Sequence, residues 1–237
     1  MATTAELRLG EPLRLTDVIA EAVRAYGRHY GPLLGLGLLH AGAYLVQTVV
    51  PWLASVAILS LVFVVSYGVI AGLLAGDDTR AAIGRARRGL PLLLLLAVGV
   101  GLPFYLSLSF LLFIPVAIIW LAVFSFAVPV ALLEPRSAEP GRPLPERASS
   151  VIRRSAYLAR TDFGHALSVV LVLVLIYLFV GILIAGLLSS FADNSQNAAI
   201  ATVQVVLAPF FFLGLGVLYF SQRARAETGD RPLPGRR

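Results

Sequence analysis

The chain has 237 residues and a formal net charge of +6, yet only 14% of its residues are charged, 58% are hydrophobic and its mean hydropathy is +0.86. Soluble globular domains carry about a quarter charged residues, so this composition argues against a soluble domain and predicts a membrane protein. Cysteine is absent, which excludes disulfides, thiolate metal sites and a cysteine nucleophile.

The apolar residues are gathered into four blocks that contain neither Arg nor Glu: 31–76, 89–133, 163–191 and 198–220. A helix that crosses a bilayer needs about 20 apolar residues, so two blocks are long enough for hairpins and two for single helices. We therefore expect an all-α fold, a polytopic membrane helical bundle of six transmembrane helices arranged as three hairpins, each preceded by a cytoplasmic interfacial helix.

Proline marks the turns inside the two long blocks, because Pro51, followed by Trp52, and Pro115 are typical of a helix start. The predicted spans are 32–50, 52–75, 90–110, 115–133, 163–189 and 198–220. The first is treated as a retained span, because its apolar pattern continues past any signal-peptide cleavage site. Pro103 and Pro129 fall inside spans, so each should kink its helix or lie next to a break in the hydrogen-bond ladder.

Three regions are expected: a cytoplasmic amphipathic segment at 1–30, a membrane domain at 31–221 with cytoplasmic loops at about 77–89 and 134–162, and a basic cytoplasmic tail at 222–237. In the first, apolar residues recur at helical spacing, with Thr16 or Asp17 as the helix cap. This helix either lies on the membrane surface or packs on the protein's own cytoplasmic loops. The recurring residues are Leu15, Val18, Ile19, Ala22, Val23, Tyr26 and Tyr30.

The basic residues predict the orientation. All 19 are Arg, and they lie before the first span, between the second and third, between the fourth and fifth, and after the sixth, whereas the opposite connections carry only Asp193. The positive-inside rule places both termini in the cytoplasm of a bacterial plasma (inner) membrane. The basic face is expected to contact anionic lipid headgroups and not nucleic acid, which would need aromatic residues interleaved with the basic ones.

The segments before the first and fifth spans can be aligned. Val18-Ile19 matches Val151-Ile152, and Tyr30-Gly31 matches Phe163-Gly164. A degenerate copy at 82–90 precedes the third span. The pattern indicates three units of surface helix plus hairpin, with chance similarity as the alternative.

One stretch resembles a known family. It runs from Pro129 to Glu134, continues with Arg153-Arg154-Ser155, and reaches Leu158, Arg160 and Phe163. It is similar to the bacterial membrane domain attached to some glycerophosphodiester phosphodiesterases and to the stand-alone relatives of that domain. Thr161 replaces the Gly usual in that family, and four prolines, Pro135, Pro140, Pro143 and Pro145, lengthen the linker. The family's catalytic domain is absent, so the resemblance implies a membrane domain without phosphodiesterase activity.

The sequence contains no recognisable motif for catalysis, phosphate binding or metal binding. The three histidines show no metal-ligand spacing, and there is no nucleophile elbow, phosphate loop or acidic pair within a span. Asp77 and Asp78 lie beside Arg80 in a cytoplasmic loop, where a helix cap or solvated turn is favoured over a Mg²⁺ site. We expect no catalytic residues, metal or cofactor.

Two sets of residues within the spans are candidates for a role. His40, Tyr44, Gln47 and Thr48 fall on one face of the first span, and Gln204 lies at a similar depth on the last. They form either a polar pocket or hydrogen bonds between helices. The second set is a row of small residues that lets helices approach closely: Gly31, Gly35, Gly68, Gly72 and Gly76.

Two functions are compatible with these features. The first is a non-enzymatic accessory or scaffold subunit of a membrane complex, which would hold a membrane protein partner or a second copy of the chain. The alternative is a transporter or channel for a small solute or lipid, favoured by the prolines within spans and by the polar face at His40. Proton-coupled transport usually uses an intramembrane carboxylate, and the spans contain none.

Overall fold

The computed structural model describes residues 9–108, 110–134, 142–189 and 196–229, and every regular element in these ranges is helical. The predicted linker residues Pro135 and Pro140, and Asp193, lie outside them. The elements are α1 (Leu15–Arg28), α2 (Tyr30–Val46), α3 (Trp52–Leu74), α4 (Thr79–Arg88), α5 (Leu90–Leu96), a π-helical segment (Ala97–Gly101), α6 (Leu102–Leu108), a 3₁₀ turn (Leu111–Phe113), α7 (Ile114–Phe124), α8 (Ala127–Leu133), α9 (Leu144–Thr161), α10 (Phe163–Ser189) and α11 (Gln196–Gly229).

Among the described residues, five helical stretches are long and apolar enough to cross a membrane: α3, α5 through α6, α7 through α8, α10 and α11. The predicted all-helical character is therefore confirmed, and the five apolar helices are consistent with the predicted multi-pass membrane protein. α2 is also apolar, but it has 17 residues, at the lower end of the range of about 17 to 25 that crosses a bilayer. The six-span arrangement as three hairpins stays a prediction.

The first predicted span is shorter than expected, because α2 ends at Val46. The next residues form a tightened turn in which the backbone N–H of Thr48 donates to the carbonyl of Leu45 at 3.2 Å, and its hydroxyl donates to the same carbonyl at 2.7 Å. Pro51 follows at the start of α3, and the residue before a proline avoids the helical region. Gln47 still makes a helical bond, since its N–H donates to the carbonyl of Ala43 at 3.2 Å, whereas Thr48 leaves the helical face on which it was predicted.

α11 is the centre of the bundle, since it packs against α1, α2, α3, α9 and α10. The sequence predicted that the last span ends at Phe220, whereas α11 continues to Gly229. The arginines that follow Phe220 mark where the membrane is expected to end, and they are good helix formers, so the helix continues through them.

α1 packs on α11, and to a lesser extent on α10 and α2. Val18, Ala22 and Ala25 are fully buried, whereas Val23 and Tyr30 of the predicted apolar face are more than half exposed. α1 thus packs on the protein, although on a helix and not on a loop. Its placement at the membrane surface stays a prediction.

The start of α1 also differs from the prediction. The helix begins at Leu15, one residue before the predicted caps, and Asp17 accepts a hydrogen bond from the backbone N–H of Arg14 at 3.3 Å. Asp17 is therefore the third residue of the helix and not its cap. From that position its carboxylate accepts the hydrogen bond of the N–H of the capping residue, Arg14.

The segments that precede α5 and α10 are helical as predicted, since α4 and α9 lead into them after one residue each. Asp78 caps α4 by accepting a hydrogen bond from the backbone N–H of Ala81 at 2.7 Å, which confirms its predicted role. The helical form of α9 agrees with the proposed three-unit repeat, which stays a prediction.

Both predicted proline interruptions are confirmed. The π-helical segment directly precedes Pro103, and the N–H of Leu102 donates to the carbonyl of Ala97, five residues back. A gap at Ser125 and Phe126 separates α7 from α8, whose third residue is Pro129. Because proline has no N–H to donate, the helical ladder must shift or break on its N-terminal side.

Candidate functional site

A cavity of about 140 Å³ lies inside the bundle between α2, α3, α6, α7, α10 and α11. Most of its lining is aromatic or aliphatic, and the residues with polar atoms are two tyrosines, one histidine and one glutamine. The lining residues are His40, Phe63, Phe104, Tyr105, Ile114, Ala117, Ile118, Val174, Tyr177, Leu178, Gln204, Ala208, Phe211 and Phe212. We refer to this set as the cavity.

His40 reaches the cavity from α2 and is only 4% exposed. Its ring lies 5.1 Å from the ring of Phe212, at an interplanar angle of 43°. Nε2 of His40 has no hydrogen-bond partner among the described residues. A buried polar atom without a partner costs about 1 to 3 kcal/mol, so a ligand able to bond with this nitrogen would recover part of that cost.

Gln204 of α11 and Tyr177 of α10 form a second polar group in the cavity. The hydroxyl of Tyr177 donates to Oε1 of Gln204 at 2.5 Å. The amide nitrogen of Gln204 is not used in this bond and carries two protons that it can donate. The pair therefore offers the amide N–H donors of Gln204, while one of the two lone pairs of its oxygen is used by Tyr177.

The inner wall of the cavity is a cluster of packed aromatic rings. Phe63 of α3 lies edge-on to Phe212 at 5.1 Å and perpendicular to Tyr105 at 6.1 Å, and it contacts Phe104 at 5.6 Å. Edge-to-face contacts of this kind hold rings in defined orientations. The wall is thus a rigid apolar surface.

The outer wall is less enclosed. Ile114 and Ile118 of α7 and Val174 of α10 are partly exposed, and Leu178 of α10 is 42% exposed. We call these four residues the cavity rim. Leu178 both lines the cavity and is exposed, and Ile119 and Leu175 next to the rim residues in the chain are exposed apolar residues too, so the cavity approaches the apolar surface of the bundle there.

The helices around the cavity are interrupted, and the freed backbone groups have partners. Nε1 of Trp120 on α7 donates to the carbonyl of Val100 in the π-helical segment at 3.2 Å. The hydroxyl of Ser155 on α9 donates to the carbonyl of Val123, next to the gap between α7 and α8, at 2.8 Å. Such bonds stabilise irregular backbone inside a membrane bundle.

A further proline, Pro209, lies within α11, which continues as a helix through it, and the sequence analysis did not single it out. Because proline has no N–H, the carbonyl of Val205 loses its usual helical donor. That carbonyl faces Gly37 of α2, where an added Cβ would lie 2.7 Å from Cα of Val205. Gly37 is therefore the residue that lets α2 contact the backbone of α11 beside the cavity.

The predicted polar face is only partly brought together. His40 and Gln204 both line the cavity, whereas Tyr44 and Gln47 are half-buried outside its lining and Thr48 is exposed. Tyr177 belongs to the site but was not predicted, because it lies in an apolar span with no polar residue at helical spacing around it.

The predicted glycine row is split between buried and exposed positions. Gly68 would place a Cβ 2.8 Å from Leu132, and Gly72 would place one 3.0 Å from Ala82, so both lie in tight helix contacts. Gly76 has a positive φ of 94°, which favours glycine and turns the chain from α3 towards α4. Gly31 and Gly35 are exposed, and a Cβ at either would meet no atom of the described chain within 4 Å.

Ion pairs join α9 to the end of α8, and α4 to the turn that precedes it. Arg154 of α9 is 3.1 Å from Glu134 at the end of α8. Arg85 of α4 donates to both carboxylate oxygens of Asp77, at 2.7 and 2.8 Å, and these bonds raise the pKa of Arg85 above its ordinary value. These contacts are structural, since they join helices and do not surround the cavity.

Four of the residues that carry the family resemblance have structural contacts of this kind: Glu134 pairs with Arg154, Ser155 bonds to α7, and Leu158 is fully buried. Within the described ranges, no group of three or more His, Asp or Glu side chains is arranged to hold a metal ion.

Comparison of the chain with protein-family models, curated proteins and solved structures finds no match. The resemblance to the phosphodiesterase-associated membrane domain therefore stays a prediction. What the described helices themselves support is a multi-pass helical membrane protein with a small, mostly apolar cavity inside its bundle.

Proposed function

We propose that this chain is a non-enzymatic membrane protein that binds a small lipid-soluble molecule within its helical bundle, as a transporter or carrier. The observation that carries the proposal is the cavity itself. It is apolar over most of its lining, yet it contains His40 with an unpartnered nitrogen and the Gln204 amide held by Tyr177. Binding sites for small ligands combine an apolar lining with a few placed polar groups in this way.

A non-catalytic role is supported by the identity of the lining residues. Among the residues that the structure describes, no Asp, Glu, Ser or Arg lines the cavity. His40 therefore has no neighbouring nucleophile to activate and no carboxylate to orient it, which are the usual parts of a catalytic site.

Movement of a ligand is supported by the interrupted helices. The π-helical segment before Pro103, the gap before Pro129 and Pro209 in α11 all lie on helices that line the cavity or continue its walls. Discontinuous helices beside a binding site are a feature of many membrane transporters. The same local breaks would let α6 or α7 move without unfolding the bundle.

The proposed location is a bacterial inner membrane with both termini in the cytoplasm, and it is supported by the distribution of the 19 arginines. In this orientation α1, α4 and α9 lie at the cytoplasmic face, where their basic residues would contact anionic headgroups.

Site-resolved photo-crosslinking tests the binding function. The full chain, reconstituted in lipid nanodiscs, is irradiated with a small cyclic ketone that carries a diazirine, and the modified peptides are identified by mass spectrometry. We expect adducts on residues that line the cavity, such as Phe104 and Leu178. Ala208→Phe, which fills the cavity, should reduce these adducts about tenfold or more, whereas Ala198→Phe, at an exposed position of the same helix, should leave them unchanged.

Leu178 also belongs to the cavity rim, so adducts on Leu178 alone would not show that the probe binds inside the cavity. Adducts confined to exposed residues of α10, or equal labelling of cavity residues in both variants, would show that the probe binds from the lipid and not in the cavity. That result would reject the proposed function.

A second candidate, an accessory or scaffold subunit, is favoured by one observation. Gly31 and Gly35 on α2 are exposed, and a Cβ added at either would meet no atom within 4 Å, which leaves part of the α2 backbone accessible to another helix. Native mass spectrometry of protein released gently from its own membrane tests this function. A second polypeptide at fixed stoichiometry supports a subunit role, and a bare chain that carries a small molecule supports the binding function.

A further inference from the structure

The size of the cavity limits the group that it can hold. Its volume of about 140 Å³ is close to that of the dry apolar cavity, about 150 Å³, that takes up benzene in another protein. It is smaller than the roughly 300 Å³ at which pockets for drug-sized ligands begin. The enclosed part of a ligand is therefore about one six-membered ring.

The polar atoms of the cavity limit the chemistry of that ring. The Gln204 amide offers N–H donors, while its oxygen already accepts the bond from Tyr177. His40 offers Nε2, which has no partner and is a donor in one tautomer of the neutral ring. Within the described ranges, the cavity lining contains no Asp, Glu or Arg that would neutralise a charged ligand. These groups match a neutral ring that carries acceptor oxygens.

The walls favour a flat ring with an attached chain. Phe63 and Phe212 present aromatic surfaces on the inner side, and aromatic rings pack well against other flat rings. On the outer side, the cavity rim is apolar and Leu178 is 42% exposed. A hydrocarbon tail attached to the ring would leave through this rim between α7 and α10 into the bilayer.

We propose that the cavity binds a planar carbonyl-bearing ring, the class of group found at the head of lipid-soluble quinones, with the carbonyl oxygens towards His40 and Gln204 and the tail between α7 and α10. This inference rests on the proposed function and specifies its ligand. It concerns binding alone, without electron transfer.

Two probes of matched shape test whether the carbonyl oxygens of the ring contribute to binding. 1,4-Benzoquinone and p-xylene have the same shape and the same number of non-hydrogen atoms, but only the quinone has acceptor oxygens. The quinone's usual side reactions are limited here, since the chain has neither Cys nor Lys. Binding to the full-length protein in detergent micelles is measured from the concentration dependence of the thermal unfolding midpoint, because a ligand of the folded state raises that midpoint.

We expect the quinone to bind more tightly than p-xylene, and each lost hydrogen bond to weaken quinone binding about fivefold. Gln204→Leu and His40→Leu should each show this loss with p-xylene binding unchanged. His40→Gln, which keeps an N–H donor, should retain part of the preference. Gln47→Leu is the matched control, because Gln47 is also half-buried in the same part of the chain but does not line the cavity.

A quinone with a decyl tail tests the exit between α7 and α10. It should bind at least as tightly as the bare ring, and Leu178→Trp at the rim should weaken the tailed probe more than the bare ring. Failure of the tailed quinone to bind while the bare ring binds would overturn the tail path and assign the site to free small molecules.

The outcomes separate the inference from the function on which it rests. Equal binding of benzoquinone and p-xylene, both abolished by Ala208→Phe, would reject the carbonyl ring and leave an apolar binding site intact. No binding of either probe, together with failure of the photo-crosslinking experiment, would reject both. A preference for the quinone that survives both Gln204→Leu and His40→Leu would also overturn the assignment of the two donors.

Discussion

The carboxylate of Glu134 lies 3.1 Å from Nε of Arg154, and this contact joins the end of α8 to α9. The Tyr219 hydroxyl of α11 lies 3.5 Å from the same carboxylate. The Glu134 side chain is only 16% exposed, so the pair is less screened by water than an ordinary surface ion pair.

We expect a double-mutant cycle of Glu134→Gln and Arg154→Gln to give a coupling energy of about 1 to 2 kcal/mol in unfolding measurements, because charge-assisted hydrogen bonds in partly buried sites reach this range. The control cycle is Arg223→Gln with Glu227→Gln, an exposed pair one helical turn apart on α11, for which about 0.3 to 0.5 kcal/mol is expected. Equal coupling in the two cycles would contradict the structural role given to Glu134.

Gly37 is predicted to be intolerant of any side chain. Gly37→Ala would bring a Cβ against the backbone of Val205, and backbone cannot move aside as a side chain can. We expect a loss of about 2 kcal/mol in the free energy of unfolding, within the usual cost of overpacking. Gly35→Ala is the matched control, since it lies on the same helix with nothing within 4 Å, and it should be neutral or slightly stabilising because alanine favours helix.

Trp120 is predicted to stabilise the π-helical segment. Trp120→Phe replaces the indole by a smaller aromatic ring and removes the N–H that donates to the carbonyl of Val100. The lost hydrogen bond should cost about 1 kcal/mol, and the lost packing of the indole adds to this cost. Hydrogen exchange of the amides in Ala97–Gly101 should become faster. Trp52→Phe serves as the comparison, because Trp52 is half exposed, and unchanged exchange in both variants would show that the bond is unimportant.

His29, between α1 and α2, should make stability depend on pH. Burial, with the Arg28 cation as the second cause, lowers its pKa below the ordinary value of 6.5. In the interval between the two pKa values the unfolded chain binds a proton that the folded chain does not, so stability increases with pH there. The contribution is complete above pH 6.5 and is lost as the pH falls through the lowered pKa.

His29→Gln should therefore lose less stability than the parent chain when the pH is lowered from about 8 to about 5. His40 and His165 are present in both proteins, so the difference between the two pH profiles isolates His29. Superimposable profiles would mean that His29 has the same pKa in the folded and unfolded chains.

Cysteine labelling tests the topology, since the chain has no cysteine of its own. Thr16, Val49, Ser149 and Ala198 are all exposed. In whole cells, a membrane-impermeant maleimide should label Val49→Cys and Ala198→Cys, but should label Thr16→Cys and Ser149→Cys only after the membrane is opened. If Thr16→Cys and Val49→Cys react on the same side, α2 does not cross the membrane and the chain has five spans.

The sequence alone determined the helical membrane character and much of its segmentation. Uninterrupted apolar blocks must form helices in lipid, because only internal hydrogen bonds satisfy the backbone there, and α10 has the bounds that the sequence predicts, 163–189. The interruptions near Pro103 and Pro129 were also predictable, since proline lacks the N–H that a continuous ladder needs. The end of α11 was not, because arginine marks the edge of the membrane but does not terminate a helix.

Only the tertiary structure decided which residues meet. A spanning helix is apolar on every side, so the periodicity that shows the buried face of a soluble helix is missing, and contacts depend on where helices cross. Gly35 and Gly37 look alike in the sequence, yet Gly37 lies against Val205 and Gly35 contacts nothing. For the same reason His40 and Gln204 share a cavity with Tyr177, while Gln47 lies outside it once α2 has ended at Val46.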